Sequence, residues 1–349
     1  ILSSKKKIKC KTLLCSKNCS QTLTIVDIVQ ALYFNIRSYK IVNMLILKIK
    51  EQDIHINILK NYIFIFVYIL QYYKYNQPIL ALLKQFLFDL SCEDISFCNI
   101  FFWDITYNIK SILHAQFYAT IRKELVESLD KKKYNILLNS HDFTNNLIEL
   151  IKNENTKISI SNNIQRHLLN NEYKINDYLF ISINLNKKIY KINSKQIKVL
   201  QSKTKPILIP CKHREHNINK DYIFMLKPED LRKEYIIMNI INIIDTILKD
   251  ELNLDLHIIT YNILPISEKF GFIEFISNAY TIYDIKEEER FSIQNFIIEK
   301  NPNITASQLR DNFSKSCAAY CVITYLLGIG DRHLENIMVT KEGYIFNID

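Results

Sequence analysis

The chain has 349 residues, 48% of them hydrophobic, a net charge of +9, and only four glycines and six prolines. That length carries two domains with separate cores. So few turn residues exclude a β-sandwich or a glycine-looped dinucleotide enzyme and favour a largely helical chain.

The excess charge is local. Residues 1–50 hold ten Lys and Arg against Asp27 alone, while the remainder carries 35 basic and 35 acidic side chains. Residues 1–21 read as a solvated basic segment, with contact to anionic lipid as the sharper alternative. No aromatic platform accompanies the charge, so nucleic acid is not an expected partner. Within this segment Cys10, Cys15 and Cys19 are spaced C-x4-C-x3-C, which lacks a fourth ligand and fits no usual zinc pattern. The eight cysteines form no disulfide-like framework, and Cys317 and Cys321 fall in an apolar helical run, as expected for thiols in a reducing compartment. No signal peptide is visible, and the most apolar run, residues 62–70, is too short to span a bilayer. The chain opens on Ile1 rather than Met, so the expectation is a soluble chain cut at both ends.

From residue 22 to about 110 the apolar spacing is helical. Ile25, Ile28, Val29 and Leu32 open the pattern, and further runs cover residues 54–73 and 79–90. Residues 91–94 break it, with Asp94 as N-cap of a helix containing Phe101, Phe102 and Trp103. Short connections between successive helices suggest an α-solenoid. Residues 111–183 read as connecting helices, amphipathic over 143–152, and a linker rich in Asn, Ser and Lys over 153–163.

At about residue 184 the period changes to that of strands. Candidates fall at 188–192, 206–209 and 221–226. A long helix is expected over 228–252, with Glu229 and Asp230 in its first turn. Two strands flank Pro265 and Gly271. Residues 283–312 are polar, and a helix over 313–327 ends at Gly328. A hairpin turning at Gly343 follows.

The chemistry concentrates at the end. Asp331 and Asn336 stand five apart, the interval between Asp and Asn in the kinase catalytic loop, but the triplet reads Asp-Arg-His. Phosphoryl transfer needs a group for the acceptor proton and oxygen ligands for Mg²⁺ on short rigid loops. Asp331, His333, Asn336 and Asp349 are offered for those tasks, and the turn at Gly343 brings Asp349 back toward Asn336.

This loop resembles that of the phosphatidylinositol 3-/4-kinase and related protein kinase superfamily. The upstream motifs agree in order. Ser202-Lys-Thr-Lys-Pro206 is similar to the family's phosphate-binding loop, which implies nucleotide contacts from Ser202 and Lys203. Residues 222–234 are similar to the family's I-F-K-x-G-D-D-L-R-Q-D, although one residue is missing after Lys227 and Pro228-Glu229 replaces Gly-Asp. The resemblance implies that Lys227 reaches the α/β-phosphates and pairs with Glu234, and that Tyr261, Ile263, Phe275 and Ile276 line the adenine pocket and hinge. Asn347 stands where the family usually has His. Leu334 followed by an acid, and Gly330 before Asp331, look most like the class III phosphatidylinositol 3-kinases.

The resemblance therefore implies an α+β chain: an α-solenoid helical domain over 22–110, then a bilobal lipid-kinase domain over 184–349, with the N-lobe to about 276 and the C-lobe incomplete. It implies ATP and Mg²⁺, with Mn²⁺ as a substitute, and transfer of the γ-phosphoryl to the 3-hydroxyl of phosphatidylinositol in membranes. A regulatory kinase-like subunit and autophagy or endosomal adaptors are the implied partners. The implied place is cytoplasmic, peripheral on endosomal, vacuolar or autophagosomal membranes. The chain alone is expected to be inactive, since no Phe-Gly or activation loop follows Asp349. The alternatives are a phosphatidylinositol 4-kinase, a related Ser/Thr protein kinase, or a non-catalytic helical-repeat interaction fragment.

Overall fold

The computed structural model describes residues 23–34, 37–110, 113–152, 162, 164, 175, 178–202, 204–216, 218–289 and 292–348. The basic segment with its three cysteines and almost all of the 153–163 stretch lie outside them. The chain divides into two compact units, the first ending at Asp130 and the second starting at Lys131.

The first unit is helical. Its elements are α1 (Ile25–Tyr33), α2 (Tyr39–Glu51), α3 (Ile56–Lys60), α4 (Ile63–Tyr72), α5 (Gln77–Glu93), α6 (Ile95–Asn108) and α7 (Ala115–Ser128). Local signals set the boundaries. Thr24 and Asp27 form a capping box at the start of α1. Asp94, the only residue between α5 and α6, accepts from Phe97 N at 2.6 Å, as its N-cap reading predicted. Phe97, Phe101, Phe102 and Trp103 are then buried, each worth about 1.5–3 kcal/mol of hydrophobic stabilisation. Helix α7 packs on α5 and α6, so the helical layer continues beyond residue 110. No helix among the described residues is long and apolar enough to cross a membrane.

The second unit mixes helix and sheet. Helix α8 (Lys131–Lys152) packs on β1 (Leu179–Ile181), and buried Ser140, Thr144 and Ser182 share hydrogen bonds at 2.7 and 2.9 Å. The next strands are β2 (Asn184–Ile192), β3 (Lys198–Val199), β4 (Ile207–Glu215), β5 (Ile218–Lys227), β6 (Ile263–Ser267) and β7 (Phe270–Glu274). They form one sheet in the order β1-β2-β4-β5-β7-β6, with β3 also on β4. Alternation along β4 and β5 buries Ile207, Ile209 and Cys211 with Phe224 and Leu226.

Helix α9 (Arg232–Leu252) packs on β6. It begins four residues later than its sequence suggests, so Glu229 and Asp230 precede it. Asp230 is engaged in the turn itself, accepting from Arg232 N at 3.1 Å and from the Arg232 guanidinium at 2.6 Å. That hydrogen bond holds the Asp230 carboxyl below the usual carboxylate range.

The polar stretch after residue 282 is also structured. It holds α10 (Ile282–Glu289), α11 (Ile293–Lys300) and the first turns of α12 (Ala306–Leu327). Helix α12 therefore starts seven residues before its apolar pattern does, because Thr305 caps it by accepting from Gln308 N at 3.3 Å. Gly328 closes α12 in the left-handed conformation, φ 64°. A second sheet, β10-β9-β8, follows from β8 (Ala279–Thr281), β9 (Ile337–Thr340) and β10 (Ile345–Asn347).

Candidate catalytic loop and nucleotide cleft

Residues 329–336 lack regular structure and are held by hydrogen bonds. Asp331 is left-handed, φ 57°. Its carbonyl accepts from Asn336 Nδ2 at 3.1 Å, and Asn336 N donates to His333 O at 3.0 Å. Arg332 binds Gly330 O through Nε at 2.7 Å and Ile348 O through Nη1 at 3.0 Å. Ile348 N in turn donates to Asn336 O at 3.0 Å. The loop that carries Asp331 and Asn336 is thus tied from both sides to the residue before Asp349. Asp349 itself lies outside the described residues. Because the Asn336 amide spends its N–H on Asp331 O, its oxygen is the group suited to a hard cation such as Mg²⁺. His333 is exposed, and its ring lies 3.8 Å from the Glu335 carboxylate.

The hairpin behind this loop rests on buried polar side chains of α12. Ser316 Oγ accepts from Ile345 N at 2.9 Å, and Asn312 Nδ2 donates to Glu342 O at 2.9 Å. Gly343 turns the hairpin at φ 88°, where an added Cβ would stand 3.0 Å from Leu309 O. The sequence signalled neither role: Asn312 ends the polar stretch before the expected helix, and Ser316 is a polar residue within that helix.

In the sheet, β3 and β4 pair with Val199 opposite Ile207, so the intervening loop is the tip of a hairpin. Leu200 N donates to Pro206 O at 2.8 Å, Lys205 N to Ser202 O at 3.2 Å, and Lys205 is left-handed, φ 50°. Ser202 is exposed there; Lys203 lies outside the described residues.

Lys227 ends β5 opposite Gly271 of β7. It is buried, 7% exposed, not a surface lysine. Its ammonium pairs with the Glu229 carboxylate, across a turn closed by Glu229 N to Lys227 O at 2.9 Å. No ion pair with Glu234 forms among the described residues; Glu234 Oε2 is instead buried without a hydrogen-bond partner. The missing residue after Lys227 accounts for this: the shortened turn brings Glu229 to the ammonium. Gly271 allows the turn to close on β7, since a Cβ there would fall 2.5 Å from Leu231 Cδ1.

Leu208, Met225 and Ile273 stand opposite one another across β4, β5 and β7, with Ile263 of β6 opposite Ile273. They share the sheet face of Lys227, two residues beyond Met225, and form an apolar strip running to its ammonium. Of these, the sequence had pointed only to Ile263. Tyr261 stacks edge-on to Phe346, with centroids 6.4 Å apart. Phe275 N donates to Ile223 O at 3.0 Å, continuing β7 alongside β5, and Ile276 follows half-buried.

The comparisons bear on this loop and cleft. Residues 221–349 match the family "Phosphatidylinositol 3- and 4-kinase". The chain is similar to phosphatidylinositol 3-kinase VPS34 of Saccharomyces cerevisiae, 39% identical over 44% of this chain and 17% of the relative. It is 27% identical to phosphatidylinositol 3-kinase pik3 of Schizosaccharomyces pombe over 76% of this chain and 35% of the relative. Phosphatidylinositol 3-kinase piki-1 of Caenorhabditis elegans is 32% identical over 45% of this chain and 10% of the relative. The chain thus spans a tenth to about a third of the length of these relatives.

Proposed function

We propose that the protein acts as a class III-like phosphatidylinositol 3-kinase, transferring the ATP γ-phosphoryl to the 3-hydroxyl of phosphatidylinositol. The observation that carries the reading is the closed loop around Asp331, Arg332 and Asn336, bonded to the residue before Asp349. In the proposed mechanism, Asp331 and His333 flank the acceptor hydroxyl, Asp331 orienting it and His333 handling its proton. Asn336 and Asp349 hold Mg²⁺, which neutralises charge on the β- and γ-phosphates when bound. Lys227 leaves Glu229 for the α/β-phosphates, a larger anionic partner, while Ser202, Lys203 and the backbone of their hairpin cover them. Adenine lies on the strip of Leu208, Met225 and Ile273, bounded by Tyr261, Phe275 and Ile276. Glu234, one of whose oxygens is unpartnered, receives the Lys227 charge as the turn opens.

The same reading proposes phosphatidylinositol-bearing endosomal, vacuolar or autophagosomal membranes as the place of action. It adds a regulatory kinase-like subunit and autophagy or endosomal adaptors as partners. The test is incubation with Mg²⁺-ATP and a panel of phosphoinositide vesicles. Phosphatidylinositol 3-phosphate as main product supports the reading; label at the 4-position, or equal turnover of phosphatidylinositol bisphosphate, overturns it.

A further inference from the structure

Between the end of α9 and the start of β6 the chain has no regular structure over residues 253–262. Without a ladder of backbone bonds, this strap takes its course from side-chain contacts. Asn253 and His257 are left-handed, φ 52° and 55°, and Asp255 Oδ1 accepts from His257 N at 2.9 Å. Beyond that turn the strap lies on the hairpin of β9 and β10. The His257 ring stands 5.4 Å from the Tyr344 ring, and the Tyr261 ring 6.4 Å from that of Phe346. Between these two contacts, Ile259 O accepts from the Tyr320 hydroxyl of α12. At its end the strap joins the large sheet: Glu274 N donates to Asn262 O at 2.8 Å, and Asn262 Nδ2 donates to the Glu274 carboxylate.

Tyr320 completes a row on α12. Asn312, Ser316 and Tyr320 recur at intervals of four, on one face of the helix, and all three are buried. Each spends a polar group on main chain outside the helix. Asn312 and Ser316 take the hairpin, through Glu342 O and Ile345 N; Tyr320 takes the strap. Burial, reinforced by Tyr261 and Asp245 nearby, pushes the Tyr320 phenol far above its ordinary value, so it stays protonated and remains a donor. A phenylalanine ring would fill the same space. What the hydroxyl adds is a fixed point midway along the strap.

We propose that Tyr320 is a positioning residue for the nucleotide base: through Ile259 O it fixes the strap, and so holds Tyr261 where adenine is bound. This role rests on the nucleotide cleft proposed above and deepens it. One helix then aligns both ends of the nucleotide. The metal end is set through Asn312, Ser316 and the hairpin, the base end through Tyr320 and the strap. Loss of the Tyr320 hydroxyl releases the strap two residues before Tyr261 and leaves the hairpin bonds in place. The effect is therefore expected on recognition of the base alone.

The test uses the whole chain and calorimetric binding of two probes with Mg²⁺: a non-hydrolysable ATP analogue, and inorganic tripolyphosphate, which lacks the base. Tyr320→Phe is expected to weaken the analogue by roughly three- to tenfold and to leave tripolyphosphate within about twofold. Ser316→Ala, which acts through the hairpin, is expected to weaken both probes. In a Tyr261→Ala background, Tyr320→Phe is expected to cost nothing further, because its effect passes through Tyr261. Hydrogen exchange without nucleotide is expected to speed up at the strap amides in Tyr320→Phe and to stay unchanged in β9 and β10. Equal weakening of both probes, unchanged affinity for the analogue, an undiminished effect in the Tyr261→Ala background, or faster exchange throughout would each overturn the proposal and leave Tyr320 as a packing residue. A wild type that does not bind the analogue would strike the nucleotide cleft and this role with it. A wild type that binds it but phosphorylates no lipid would strike the lipid-kinase reading and leave this role standing.

Discussion

The Asp331–Asn336 loop and the Lys227 turn both carry a motif spacing, yet they fold differently. In the loop, two ties join residues whose order along the chain already brings them together. Asn336 reaches back five residues to Asp331 O, and the hairpin brings Ile348 beside Asn336. At Lys227 the expected partner, Glu234, lies across a turn shortened by one residue, and Glu229 takes the ammonium instead. A spacing is informative when the chain between its ends is rigid. Where one deletion re-aims a turn, the carboxylate that arrives first wins the pair.

The largest effects are expected in the loop. Asp331→Asn keeps the backbone carbonyl that Asn336 uses but removes the charge proposed to face the acceptor. It should lower lipid phosphorylation on the order of a hundredfold or more, with nucleotide affinity unchanged. Asn336→Ala loses both a proposed metal ligand and the bond to Asp331 O, so it should cost a similar factor and weaken Mg²⁺-nucleotide binding as well. Combining the two should cost far less than the product of the single losses, because they act as one unit. Multiplicative losses would break the unit into independent parts.

The turn at Lys227 gives the next largest effects. Glu229→Gln removes one partner from a buried ammonium and should destabilise the unit by about 1–3 kcal/mol, read by urea denaturation. Glu234→Gln should be neutral or slightly stabilising in the same assay, since it relieves a buried carboxylate with an unpartnered oxygen. If Glu234 receives Lys227 in the nucleotide complex, Glu234→Gln should weaken ATP binding severalfold. Unfolding effects in the reverse order would return the pair to Glu234.

Much of this architecture was legible. Asp94 as a cap, Gly328 as a helix end and the Gly343 hairpin rest on local chemistry, and each appears as expected. What was hidden depends on contacts between distant segments. Asn312 and Ser316 support a hairpin some thirty residues ahead. The apolar strip needs the register of three strands, and Arg332 needs Ile348 O, sixteen residues on. Helix α12 began early because Thr305 capped a polar turn that carries no apolar period. Ser316→Ala should expose the dependence: loss of the buried bond to Ile345 N should cost about 1–2 kcal/mol and weaken Mg²⁺-nucleotide binding through the hairpin. An unchanged metal dependence would confine Ser316 to packing.

The smallest effect expected is one of pH. Burial, with Lys187 nearby, pushes the His213 imidazole below its ordinary value of 6.5. The folded state therefore binds the proton less readily than the unfolded chain. The stability from His213 is complete above about pH 6.5 and declines as the pH falls toward the depressed folded value. His213→Gln should flatten that part of the profile, read by urea denaturation at a series of pH values.

The central claim is that the loop bonded around Asp331 and Asn336 transfers phosphate to the 3-hydroxyl of a membrane lipid. The direct measurement is the product formed from labelled ATP and phosphatidylinositol vesicles by the wild type and by Asp331→Asn. The account predicts phosphatidylinositol 3-phosphate from the wild type, and almost none from the variant although it binds nucleotide normally. Label on the 4-hydroxyl or on protein, or equal product from the variant, would contradict it.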